Sequence, residues 1–325
     1  MDTSLRIVFL GTPDFAVASL KATCEAGWNI VGVVTAPDRK AGRGQQLKPS
    51  AVKQYALKEG LPILQPTNLK NPEFIVELKA LKADIQIVVA FRMLPEVVWQ
   101  MPKHGTFNLH ASLLPSYRGA APINWAIING EEKTGVTTFF LKHEIDTGNI
   151  AFQESIPIHI DDDAGSLHDK LMQVGSALVL RTLEAFCSNT ISLKSQTSLT
   201  DSIETLPKAP KIFRKDCQIN WSEEGEMVRN KIRGLSPFPG AWSRIENHDQ
   251  KKLDIKVFKA QLSNISVNNE AAGILKIDGK KIFVSTKDYW IELIELQVQG
   301  KKRMRHHELL NGFPLHEYTL SPYEN

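Results

Sequence analysis

The sequence predicts an α/β protein: a doubly wound, mostly parallel sheet followed by a small C-terminal β-barrel. Three observations carry that prediction. Apolar runs of strand length alternate with helical periodicity through the first 189 residues. One run, Ala83-Asp84-Ile85-Gln86-Ile87-Val88-Val89-Ala90, is apolar enough for the centre of a parallel sheet. Beyond residue 210 the helical pattern gives way to short strand-length runs with turn signals such as Asp278-Gly279.

Leu5–Leu10 reads as a buried strand that ends at Gly11-Thr12-Pro13-Asp14, and Phe15–Ala26 has helical periodicity. A strand over Ile30–Thr35, a polar loop and a helix over Ser50–Glu59 follow. Next come a short strand, Pro62–Gln65, and a helix, Pro72–Leu81. After the central strand, Thr106–His110 forms another, then a helix from about Pro122 to Asn129 and a strand over Gly135–Leu141. A long helix over Ala164–Ser188 closes this part. The polar stretch 190–210 reads as a linker, so the expected division is a domain over 1–189 and a second over 211–325. In the second, strands are expected at Leu253–Phe258, Gly273–Ile277, Lys281–Ser285 and Trp290–Val298, with a closing helix over Arg305–Asn311.

Composition narrows the class. At 325 residues, 42% hydrophobic and 23% charged, the chain is ordinary globular protein with room for two domains. The net charge of +3 does not by itself indicate a nucleic-acid partner. From Thr205 onward, however, 20 Lys and Arg face 15 Asp and Glu, so the basic excess lies in the C-terminal part, where a polyanion or a well-solvated surface fits equally. Cys24, Cys187 and Cys217 are far apart and have neither metal-ligand nor redox-motif spacing. His306-His307 stands in no zinc-like pattern, so no metal is expected. The N-terminal apolar run is too short for a signal peptide, and no segment has membrane-span length, so a cytoplasmic setting without membrane contact is expected.

The chemical signal centres on Asn108 and His110. Two residues apart on a strand, their side chains share a face. An amide and an imidazole then open into one space, and Asp146 in Glu144-Ile145-Asp146-Thr147-Gly148 adds a carboxylate. Such a set suits acyl transfer to an amine, with donors for a developing oxyanion and a carboxylate to orient the imidazole. The structural alternatives are a core histidine bonded to a backbone carbonyl and a turn-forming aspartate. Gly11-Thr12-Pro13 lacks the dinucleotide-binding glycine pattern. The run from Pro37 to Lys48 is a basic, glycine-containing loop suited to phosphates or simply to solvent. Arg118-Gly119-Ala120-Ala121-Pro122 either starts a helix or admits close backbone approach of a substrate, with Arg118 meeting an anion. Lys301-Lys302-Arg303-Met304-Arg305 is a second basic cluster.

Taken together these segments resemble the methionyl-tRNA formyltransferases over almost the whole length. The marks are Phe9-Leu10-Gly11-Thr12-Pro13-Asp14-Phe15-Ala16, Pro37-Asp38-Arg39 with Gly42-Arg43-Gly44, and Asn108-Leu109-His110-Ala111-Ser112-Leu113-Leu114-Pro115. Arg118–Ile123, Thr134-Gly135-Val136-Thr137, Asp146-Thr147-Gly148 and Pro237-Phe238-Pro239-Gly240-Ala241 complete them. The resemblance implies a Rossmann-like catalytic domain and a C-terminal barrel of oligonucleotide-binding type. It implies 10-formyltetrahydrofolate as formyl donor, methionyl initiator tRNA as acceptor, no metal, and a monomer. Asn108, His110 and Asp146 would be catalytic. Ser112, Leu113, Leu114, Pro115, Phe91 and Met93 would line the folate site. Arg39, Lys40, Arg43, Lys48, Phe15 and Arg118 would meet the tRNA, and the 211–325 barrel would bind it as well. Ala90-Phe91-Arg92-Met93, Glu144-Ile145 and Ser116-Tyr117 depart from the family pattern of Ala-Tyr-Gly plus an aliphatic residue, Gly-Leu, and Arg-Trp. The competing expectations are another folate-dependent formyltransferase or formyl-folate hydrolase, and a tRNA-binding module on a catalytically dead scaffold.

Overall fold

A computed structural model describes residues 4–41, 46–200, 202–268 and 270–323. Numbered along the chain, the elements begin β1 (Ile7–Gly11), α1 (Asp14–Glu25), β2 (Ile30–Val34), β3 (Arg39–Ala41), β4 (Gln46–Lys48) and α2 (Ala51–Lys58). They continue β5 (Ile63–Leu64), α3 (Pro72–Ala80), β6 (Ile85–Val89), α4 (Glu96–Trp99), β7 (Thr106–His110), β8 (Arg118–Gly119) and α5 (Pro122–Ile128). Next are β9 (Lys133–Phe140), β10 (Ile150–Pro157), α6 (Ala164–Cys187), β11 (Lys208–Ala209), α7 (Gly225–Gly234) and β12 (Ala241–Asn247). The last are β13 (Lys252–Ser266), β14 (Leu275–Asp278), β15 (Lys281–Ser285), β16 (Tyr289–Val298), β17 (Met304–Arg305), α8 (His306–Leu310) and β18 (Tyr318–Leu320). The chain divides into two compact units. One holds Met1–Gly119, Lys133–Ile156 and His168–Lys208; the other holds Ala120–Glu132, Pro157–Leu167 and Ala209–Asn325.

In the first unit a seven-stranded sheet runs β10-β9-β7-β6-β1-β2-β5. Its middle strands, Ile-Val-Phe-Leu-Gly and Ile-Gln-Ile-Val-Val, are buried at every position, which is why they read as unbroken apolar runs. β1 pairs in parallel with β2 and β6, and β6 in parallel with β7; β9 runs antiparallel to β7. The strand order therefore reverses between β1 and β6. Sheets of this kind offer their ligand crevice outside the carboxyl ends of the strands at such a reversal. Gly11-Thr12-Pro13, Ala90-Phe91 and Ala111-Ser112 all follow carboxyl ends of these strands. On β7, Leu109 faces α6 so closely that a Cβ at Gly175 would lie 2.7 Å from Leu109 Cδ2. Asn108 and His110 point to the opposite face.

The second unit is built on an antiparallel, barrel-like sheet in the order β14-β15-β16-β13-β12-β18, with β17 added beside β16. Val228 and Ile232 of α7 join Val257, Ile291 and Leu296 in its buried core. Several elements differ from the sequence reading. β10 was missed because it lies at the sheet edge and alternates poorly, with exposed Glu154 and Ser155. α7 was missed because Gly225 and Gly234 at its ends read as breakers. β12 was missed beside its proline-rich approach, and β13 spans 15 residues rather than Leu253–Phe258 because bulges carry it past the polar positions. The polar loop after β2 is also corrected at its described ends. β3 and β4 form an antiparallel ladder pairing Arg39 with Lys48 and Lys40 with Leu47. Among the described residues no helix is long and apolar enough to cross a membrane.

Candidate active site

β7 delivers Asn108 half-buried and His110 only 6% exposed. The imidazole Nε2 lies 2.9 Å from the Tyr117 carbonyl oxygen, so Nε2 carries a proton and donates. That fixes the ring and leaves Nδ1 as the nitrogen that faces the site. Nδ1 is 3.9 Å from Asp146 Oδ2. This is too long for a hydrogen bond but within ion-pair range whenever the ring carries a charge. The backbone carbonyl foreseen as the inert alternative for His110 is thus present, and it orients the ring rather than exhausting it.

Asp146 is placed by backbone. Its Oδ2 accepts from the Gly119 N–H at 3.0 Å. Tyr117-Arg118-Gly119 therefore brackets the pair, with one carbonyl on His110 and one N–H on Asp146. The bracket needs left-handed backbone at Tyr117 (φ 59°) and a φ of 129° at Gly119, a value open to glycine but strained for other residues. Asp146 itself sits at φ 56°. Two residues on, a Cβ at Gly148 would fall 1.6 Å from the Phe140 carbonyl oxygen, so only glycine fits.

A residue outside every sequence motif completes this turn. Gln196, 2% exposed, donates from Nε2 to the carbonyls of Asp146 and Gly148, both at 2.8 Å. Its Oε1 accepts from Arg118 Nε at 3.1 Å and Nη2 at 2.6 Å. Lys194 and Ile150 exchange backbone hydrogen bonds at 2.8 Å just before it. Burial pushes the Arg118 guanidinium below its ordinary pKa, while Asp146 and Glu144 pull it back up. The only sequence signal was an amide in a polar stretch. Trp99, Arg118, Leu141, Glu144, Thr147 and Gln196 are among the residues lining a cavity of about 520 Å³ beside the turn.

The Ser112–Pro115 segment is held by side chains. Thr137 Oγ1 donates to the Ser112 carbonyl at 2.6 Å, accepts from the Leu114 N–H at 3.1 Å and accepts from Gln153 Nε2 at 3.0 Å. Gln153 also donates to the Leu114 carbonyl, at 2.8 Å. Ser112 Oγ donates to the Ser116 carbonyl at 2.7 Å. Phe91, Leu94 and Leu141 lie against the apolar cluster of Val8, Leu10 and Val88, Leu141 also packs against the cluster that holds Leu114, and Met93 is 73% exposed. Arg92 turns to the Pro66 and Thr67 carbonyls, the latter at 2.8 Å. Burial lowers its pKa, and the like charge of Arg39 adds to that.

Arg39, Lys40 and Lys48 are exposed on the β3–β4 ladder, and Arg43 lies outside the described residues. Asp38 at the base of the ladder meets Lys53 at 2.7 Å and Gln65 at 2.9 Å, and these bonds lower its pKa. Phe15 is 6% exposed, edge-on to His168 at 5.2 Å. Among the described residues no group of three His, Cys, Asp or Glu could hold a metal ion.

With this geometry in place, comparison with known proteins is informative. The formyl transferase family profile matches residues 5–183, and the profile of the formyl transferase C-terminal domain matches residues 211–314. The chain is 52% identical over 320 residues to a methionyl-tRNA formyltransferase of Parabacteroides distasonis, covering 97% of this chain and 98% of the relative. It is 50% identical over 309 residues to the methionyl-tRNA formyltransferase of Flavobacterium johnsoniae, covering 95% and 96%. A solved N-formyltransferase from Helicobacter canadensis, in complex with folinic acid and dTDP-3-aminofucose, superposes with a TM-score of 0.62 at 22% identity, covering 89% of this chain and 98% of that one. At that identity the structural likeness speaks for the fold alone.

Proposed function

The chain belongs to the formyl transferase family, and from that premise we propose that its site transfers the formyl group of 10-formyltetrahydrofolate to the α-amino group of methionyl initiator tRNA. The product is N-formylmethionyl-tRNA for translation initiation. The observation that carries the reading is half identity over nearly the full length to the methionyl-tRNA formyltransferases, with Asn108, His110 and Asp146 gathered at one strand end.

The residues divide the work as follows. The Asn108 amide and His110 Nδ1 offer hydrogen bonds to the formyl oxygen as negative charge develops on it. Asp146 stabilises the charged imidazole and, directly or through a water, takes the proton leaving the attacking amine; as the N10–formyl bond breaks, that proton passes to N10 of the departing tetrahydrofolate. The Tyr117 carbonyl keeps the ring from turning. The fit of a reduced folate is supported by the β1/β6 reversal of strand order, where such sheets bind ligands, by the apolar Phe91 and Leu94 after β6, and by the hydrogen-bonded Ser112–Pro115 segment after β7. Met93 belongs with Phe91 and Leu94. The exposed Arg39, Lys40 and Lys48, with Arg43, contact acceptor-stem phosphates, and the 211–325 region binds the tRNA body. Phe15 and Arg118 belong on the acceptor side of the site. The enzyme works as a cytoplasmic monomer and needs no metal.

Mass analysis of charged initiator tRNA incubated with 10-formyltetrahydrofolate tests the proposal. Methionine carrying one added formyl group is expected. Preferential formylation of a nucleotide-linked amino sugar, or hydrolysis of the folate alone, would overturn it. Binding of the tRNA should also weaken steeply with added salt, and salt-independent affinity would contradict the phosphate contacts.

A further inference from the structure

Gln196 uses all the hydrogen-bonding capacity of its amide. Two N–H bonds go to the Asp146 and Gly148 carbonyls, and two acceptor sites take the Arg118 fork. It is 2% exposed, so none of these bonds is exchanged cheaply for water. The turn it grips carries a non-glycine residue in left-handed backbone, Asp146 at φ 56°. Such a conformation is disfavoured for a residue with a Cβ and persists only where its surroundings over-determine it. No other residue type supplies two donors on one side and an acceptor on the other at this reach. Glutamate would keep the Arg118 fork but aim oxygen at two carbonyl oxygens. Asparagine is one methylene too short to span both.

We infer that Gln196 is a positioning residue for the transfer reaction, fixing Asp146 opposite His110 by clamping the backbone of Asp146–Gly148 and using Arg118 as its own anchor. The inference rests on Asp146 acting in catalysis, as proposed above. Gln196 touches neither substrate nor the reacting atoms. Its effect passes through the Asp146 carboxylate, whose 3.9 Å separation from His110 Nδ1 depends on where the turn sits. A displacement of an ångström at such a site can cost about 100-fold in rate.

The test is steady-state formyl transfer from 10-formyltetrahydrofolate to methionyl-tRNA by the full chain, with thermal melting as a check on folding. Gln196→Ala should lower kcat by about 10- to 100-fold with KM for the folate donor within about threefold, since no proposed donor contact is touched; KM for the tRNA is not a criterion, because Arg118 loses its partner. Gln196→Glu should lose at least as much. In an Asp146→Ala background, Gln196→Ala should cost less than about threefold more, because the residue it serves is gone. A kcat within threefold of the parent, or an undiminished loss in the Asp146→Ala background, would overturn the inference. Near-parent turnover by Asp146→Ala alone would bring down the catalytic assignment, and this inference with it. Should Gln196→Ala not melt as a folded protein, Gln196→Asn takes its place. A kcat at least threefold lower at constant donor KM supports the clamp, and unchanged kcat refutes it.

Discussion

At Thr106–His110 the backbone does the placing, whereas at Gln196 a side chain does. The strand is locked between Val88 on one neighbour and Phe139 on the other at Asn108, and its period of two sends Asn108 and His110 to one face whatever their neighbours' side chains are. The Asp146 turn has no ladder on its reactive side. Besides its local bonds, such as Thr147 Oγ1 to the Glu144 carbonyl, it is held by one amide arriving from about fifty residues downstream and by one backbone N–H from Gly119. The difference teaches where each half of the site is vulnerable. On the strand half the direction of Asn108 and His110 is set by the ladder, while Phe107 and Leu109, which alternate with them, are core residues whose loss would cost stability. The turn half can fail from a residue that touches no substrate.

Substitutions can break or sharpen this contrast. The largest effect belongs to the reacting groups: Asn108→Ala, His110→Ala or Asp146→Ala should each lower kcat/KM by ~10²–10³ while the melting temperature holds, and near-full turnover from any one would remove it from the catalytic set. Gly148→Ala should come next, as a stability loss of about 3 kcal/mol, because its Cβ would meet the Phe140 carbonyl at 1.6 Å. Denaturant titration reads that loss, and a parent-like midpoint would show that the turn can shift and that its placement is softer than argued.

Thr137→Val should follow at about 1–3 kcal/mol, since it leaves the buried Leu114 N–H and Ser112 carbonyl short of their partner. A loss confined to donor KM, without loss of stability, would instead make Thr137 a ligand contact.

The smallest effect is a control from the second unit. Burial disfavours the charged Asp288 carboxylate, but the Gly225 N–H at 2.7 Å, the Thr286 hydroxyl and the Tyr289 N–H outweigh that and hold its pKa below the ordinary carboxylate value. A depressed folded-state pKa gives stability that is complete above the unfolded value, about 3.9, and lost as pH falls through the folded one. Asp288→Asn should therefore lower the melting temperature by a degree or two at neutral pH and flatten its decline below pH about 4. An unchanged acid profile would show that this bonding contributes nothing.

What could be read from the sequence follows the same divide. The alternation of buried strands with helices, the antiparallel barrel and the meeting of His110 with Asp146 rest on short-range periodicity or short motifs, and these were legible. The edge strand Ile150–Pro157 and helix Gly225–Gly234 were not, because half-solvated edges and glycine-bounded helices blur the apolar period. Gln196 was invisible for another reason. A buried glutamine in a polar stretch looks like any solvated one until the chain folds and the carbonyls of Asp146 and Gly148 arrive beside it. Arg92 likewise donates to the Pro66 and Thr67 carbonyls, contacts that leave no trace in residue identity.

The Thr137 hydroxyl has one more implication. Three hydrogen bonds on a single oxygen tie Ser112, Leu114 and Gln153 together before any substrate arrives. The entropy of shaping that wall is thus surrendered once, during folding, rather than at each encounter with a donor. On the proposed reading, in which this segment lines the donor site, successive donor molecules would meet a surface already set by folding.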